Sequence, residues 1–138
     1  MPVAFADLHP RFAALRDYLE GLRGSRRMAR PADLDQRGFG DWLAFVNLID
    51  VVLHGDAVRF RFRLVGTAQS LAAQLDYAGR FVDDVVDPAS RRRVIDDLTR
   101  VVATCLPQYG RYGMPFPGRG FIDSERVFFP LSNDGRMV

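Results

Sequence analysis

The apolar positions of residues 8–23, LHPRFAALRDYLEGLR, fall at Leu8, Phe12, Leu15, Leu19 and Leu22, spaced four, three, four and three apart. That spacing predicts an amphipathic helix with one apolar stripe. Asp7 is placed to cap it, Pro10 is tolerated in its first turn, and Gly21 and Gly24 bracket its end. GSRRMARP reads as a linker and PADLDQRGFGDWL as a short, Gly-broken helical turn. Between Phe45 and Leu53 the period changes. FVNLIDVVL is β-branched and mostly apolar, the pattern of a strand buried on both faces. His54-Gly55-Asp56 is a turn signal, and VRFRFRLV returns as the partner strand of a hairpin.

Within that strand Arg59, Arg61 and Arg63 alternate with Phe60, Phe62 and Leu64. Side chains of a strand alternate between its faces, so one face is aromatic and the other cationic. In the default orientation Phe60, Phe62 and Leu64 line the core. In the inverted one the N-terminal helix covers them, and Arg61 and Arg63 enter a pocket where each needs an anionic partner. TAQSLAAQL then predicts a short helix, and DYAGRFVDDVV a Gly turn with another helical piece. Asp87-Pro88 opens a longer helix by cap and N1 proline, on which Val94, Leu98, Val101, Val102 and Cys105 form one stripe, and Pro107 closes it. PQYGRYGMP and SERVFFPLS read as strands, with Asn133-Asp134-Gly135 as a turn into Arg136–Val138. Strands first, helices in the middle and strands last imply an α+β domain with an antiparallel sheet and helices on one face.

Composition narrows the chemistry. At 138 residues, 48% of them hydrophobic and 26% charged, the chain is long enough and apolar enough for one folded domain. All 19 basic residues are Arg, so Schiff-base and P-loop lysines are excluded and none of these cations serves as a general base. Cys105, the single cysteine, excludes an internal disulfide and a cysteine-based zinc site. No apolar run reaches the roughly 18 residues of a membrane span and no signal peptide is evident, so a cytoplasmic protein is expected.

Four segments, RPADLDQRGFGDWLAFVNLIDVV, FRFRLVGT, LDYAGRFVDDV and ERVFFPLSNDG, carry a resemblance. Together they resemble a PAS domain, specifically the small stand-alone PAS-like proteins of proteobacteria, which are mostly uncharacterised. Residues 1–30 read as an N-terminal amphipathic helix and linker, and the resemblance implies 31–138 as a PAS-like domain. It implies a five-stranded antiparallel sheet whose last strand runs down the middle, and that strand looks truncated, since only Arg136, Met137 and Val138 follow the turn. The function implied is a sensory or regulatory module, non-catalytic, binding a small ligand or a protein partner between sheet and helices. A homodimer through the N-terminal helix and an unidentified downstream protein partner are expected with it.

Phe62, Leu64, Leu71, Leu75, Phe81, Leu98, Tyr112 and Phe129 are the apolar candidates for such a pocket, with Arg63 and Arg80 as its polar candidates. Each has an ordinary reading as core or surface packing. No cofactor and no metal are expected. His9 precedes a helix-start proline and His54 sits in a turn, neither with a second ligand at metal spacing. Cys105 lies in an apolar stripe and reads as inert core. Asp83-Asp84 and Asp96-Asp97 are adjacent pairs that do not face one another on a helix, and Asp96 and Asp97 each have an Arg four residues earlier. Arg23, Arg26, Arg27 and Arg30 have no aromatic interleaving for stacking bases, so no nucleic-acid partner is expected. Two other readings stay open: a small cone-shaped α+β enzyme of the cyclase or dehydratase kind, and a pure interaction module with a filled core.

Overall fold

The computed structural model describes residues 9–134, apart from the side chains of Gln36 and Tyr112. The N-terminal helix α1 spans Pro10–Arg23, with Pro10 in its first turn and Gly24 at φ +57° after its last. His9 caps it, its Nδ1 accepting from the Arg11 N–H at 3.2 Å. Asp7, the expected cap, lies outside the described residues. The Gly-broken region resolves into a 3₁₀ turn at Pro31–Asp33, the one-turn helix α2 (Gln36–Phe39) and a second 3₁₀ turn at Gly40–Phe45.

Strands β1 (Asn47–His54) and β2 (Ala57–Val65) form the expected hairpin. Gly55, at φ +59°, takes the first central position of the two-residue turn, a conformation favouring glycine. Strand β1 is half-buried, not buried on both faces. The orientation of β2 is the default one: Phe60 and Phe62 are buried, and Arg61 and Arg63 both reach outward to Asp50, at 3.3 and 2.6 Å. The alternation does not run to the end of the strand. Ile49 pairs with Phe62 and Leu48 with Leu64, so Arg63 is an extra residue in a β-bulge. A bulge of one residue exchanges the faces beyond it. Val65, not Leu64, therefore packs on the core.

Helices α3 (Thr67–Ala73) and α4 (Val82–Val85) follow, then α5 (Pro88–Thr104), capped by the Asp87 carboxylate on the Ala89 N–H at 3.2 Å. The stripe of α5 buries Val94, Leu98 and Val101. Cys105 is not part of it. It is the C-cap, at φ +57° and partly exposed. Strands β3 (Gln108–Gly113) and β4 (Asp123–Phe128) pair antiparallel, and α5 packs on both.

The expected five-stranded sheet is not found. Among the described residues the strands form two separate two-stranded antiparallel sheets, β1–β2 and β3–β4. The backbone shows why. One edge of β2 is taken by the 79–81 turn, where Phe62 donates to the Arg80 carbonyl at 2.9 Å and accepts from Gly79 N–H at 2.6 Å. After β4 the chain leaves strand geometry and is tied to the linker behind α1, the Ser132 N–H donating to the Ala29 carbonyl at 2.9 Å. The expected truncated final strand, 136–138, lies outside the described residues.

The core joins the two hairpins through side chains. Phe62 meets Tyr77 edge-on and Tyr77 meets Phe116 at a tilt, with ring centroids 4.6 Å apart at each step. Val82, Val85, Val86, Val94 and Leu98 close around them. No helix among the described residues is long and apolar enough to cross a membrane.

Candidate functional site

Between the two hairpins, α1 and α5 lies a cleft-like cavity of about 850 Å³. Ligand sites commonly fall between about 300 and 1,000 Å³, with mostly apolar walls and a few placed polar groups. Each wall follows from a local pattern. The stripe of α1 turns Phe12, Leu15 and Leu19 to the cavity, so it serves as a wall. The 3₁₀ turn contributes Trp42 and Phe45, and the Arg11 guanidinium lies 4.8 and 4.6 Å from their ring centroids. The two turns of α5 carrying Leu98 and Val101 form the floor, with Met114 and Phe116 from the loop after β3.

Polar groups enter the wall from several elements, among them Asn47 at the start of β1, Tyr77 in the turn after α3, and Ser124 and Arg126 on β4, beside Arg11, Asp50, Gln69, Asp123, Glu125 and Ser132. Asn47 is oriented from two sides. Its Oδ1 accepts from Gly66 N–H at 3.1 Å, and its Nδ2 donates to the Tyr77 hydroxyl at 3.2 Å. Arg126 donates from Nη2 to Ser124 Oγ at 2.6 Å. Burial pushes the Tyr77 phenol above its usual pKa, while the Asn47 hydrogen bond and the Arg126 charge act in the opposite direction. Three acidic side chains of the wall have partners of their own. Asp50 takes Arg61 and Arg63, Asp123 takes Arg111 at 2.7 Å, and Glu125 accepts from the Tyr109 hydroxyl at 3.0 Å.

Of the expected pocket residues, Phe62, Leu98 and Phe129 are in the wall, and Arg63 reaches its rim with 57% of its side chain exposed. Five others are elsewhere. The bulge turns Leu64 away, Leu71 is 77% exposed on α3, and Leu75 packs on the core from outside the cavity. Arg80 is exposed, and Phe81 lies under the Arg59 guanidinium, 3.8 Å from the ring centroid. The side chain of Tyr112 lies outside the described residues. The sequence reading missed Asn47, Tyr77, Ser124 and Arg126. Asn47 is a lone polar residue in an apolar strand and Tyr77 sits in a turn segment, while Ser124 and Arg126 fall in the polar run 123–126, so periodicity assigns none of them a partner.

The remaining chemistry-bearing residues are dispersed. His54 meets Phe81 edge-on at the hairpin end, 6.2 Å between centroids. Asp83 and Asp84 both receive Arg59. Among the described residues no three His, Cys, Asp or Glu side chains are grouped to hold a metal ion. Compared with known proteins, the chain matches no family model, no curated protein and no solved structure.

Proposed function

We propose that this chain is a non-catalytic binding module, of the sensory or regulatory kind, that takes up a small and largely apolar molecule in the cavity between its hairpins. The observation carrying this reading is the cavity itself: about 850 Å³, walled mostly by aromatic and aliphatic side chains, with polar groups that include Asn47, Tyr77, Ser124 and Arg126. Apolar walls supply affinity through burial, and a few oriented polar groups supply selectivity. Acid–base catalysis needs two titratable groups converging on one reacting atom. Here Asp50, Asp123 and Glu125 are each engaged by Arg or Tyr side chains, an arrangement suited to holding walls in place.

Native mass spectrometry of the purified protein, compared with its denatured mass and joined to an absorption scan, tests the proposal. A co-purifying mass that is lost on denaturation supports it. A bare chain that also gains no mass from a library of small apolar compounds refutes it, and the cavity is then closed in solution as the core of an interaction module.

A further inference from the structure

Tyr77 is 1% exposed, and its hydroxyl oxygen accepts one hydrogen bond, from Asn47 Nδ2 at 3.2 Å. No acceptor for its own proton is found among the described residues. A buried O–H donor without an acceptor raises the free energy of the folded state, which makes it a group that a guest can satisfy. The direction of that donor is not left to chance. Gly66 N–H holds Asn47 Oδ1, so the amide must present its nitrogen to the phenol, and the phenol must turn its proton elsewhere. A donor hydrogen bond into the phenolic oxygen also polarises the O–H and strengthens it as a donor. Arg126, a second donor group, stands in the same cavity wall on β4.

We propose that the Tyr77 hydroxyl, with Arg126, reads an acceptor oxygen, carboxylate or carbonyl, on the apolar guest of the cavity. This rests on the cavity being a binding site. It assigns the guest a chemical class: an aliphatic or aromatic body ending in an oxygen acceptor, and not in a cationic or purely donating group.

Trp42 is the single tryptophan of the chain and lines the cavity, so its fluorescence reports occupancy. Octanoate, octanamide and octylamine are titrated into wild-type protein and Tyr77→Phe, which keeps the ring and removes the donor. The acid or the amide saturates the wild type and binds about tenfold or more weakly to Tyr77→Phe, while octylamine binds more weakly than either and equally to both proteins. Octanoate ahead of octanamide assigns a carboxylate, and equal binding assigns a carbonyl. Undiminished octanoate and octanamide binding to Tyr77→Phe overturns the assignment, as does octylamine binding as tightly as octanoate to the wild type. The second comparison needs no variant, so it stands even where Tyr77→Phe folds poorly. Saturation by none of the three probes overturns the cavity reading and this assignment together.

Discussion

Gly66→Ala tests the join between fold and site. Gly66 follows β2 as the cap residue of α3, and its N–H holds Asn47 in place. Its backbone, at φ −63° and ψ 146°, is open to any residue, so strain in φ is not the issue. Space is. A Cβ on Gly66 would sit 2.6 Å from the Ala44 carbonyl carbon, against its oxygen, and 2.9 Å from the Leu43 oxygen. Non-bonded carbons settle about 3.5 Å apart, so relief takes a backbone displacement on the order of 1 Å. The obstructing atoms are backbone and cannot rotate aside. Overpacking of this kind costs about 1–3 kcal/mol, and loosening the Asn47 hydrogen bond adds about 1 kcal/mol. At about 4 °C per kcal/mol for a chain of this size, Tm falls by roughly 8–16 °C. Thermal unfolding followed by circular dichroism measures it. Gly21→Ala is the control: it lies inside α1 with nothing within 4 Å of an added Cβ, and its Tm holds or rises by a few degrees. A Gly66→Ala protein that melts within a degree of wild type refutes the close approach of β2 to the 3₁₀ turn.

The aromatic core gives a second contrast. Phe62→Ala removes a ring that is 5% exposed and costs about 3–5 kcal/mol in urea unfolding, whereas Leu71→Ala, at 77% exposure, stays within about 0.5 kcal/mol. Equal losses would contradict the burial of Phe62 and the exposure of Leu71. The third prediction concerns acid. The Arg30 guanidinium beside Asp33 holds its carboxyl below the usual carboxylate range, and Arg26 also bonds to it. A depressed folded pKa contributes stability that is present above the unfolded value of about 4 and is lost as pH falls through the folded one. The Tm difference between wild type and Asp33→Asn is therefore larger at pH 6 than at pH 3, and a difference that does not change with pH contradicts the pairing.

Local pattern made much of this fold readable. The spacing of Val94, Leu98 and Val101 placed the buried face of α5, Asp87-Pro88 placed its start, and Gly55 placed the first hairpin. What was not readable depends on backbone partners distant in the chain. Whether two hairpins share a sheet is decided by edges, and here the 79–81 turn occupies β2 while Ser132 is held by Ala29. Leu64 illustrates the same point at the scale of one residue. Its alternation with Phe60 and Phe62 is unbroken in sequence, yet the bulge at Arg63 reverses its face. Of the site, the aromatic and aliphatic walls at Phe62, Leu98 and Phe129 were visible as apolar faces. The polar groups were not, because Asn47, Tyr77 and Arg126 come from three elements separated by 30 and 49 residues, and only their meeting at the cavity gives them a role.

The central claim is that the cavity between the hairpins takes up a guest, and the methionines offer the most direct measurement of it. Met114 is buried in the cavity wall, while Met28 is equally buried outside it. Methyl NMR of protein labelled at the methionine ε-carbons, recorded during an octanoate titration, follows both at once. The account predicts a saturable shift of the Met114 methyl with the Met28 methyl unmoved. Shifts of equal size at both, or none at Met114, would contradict it.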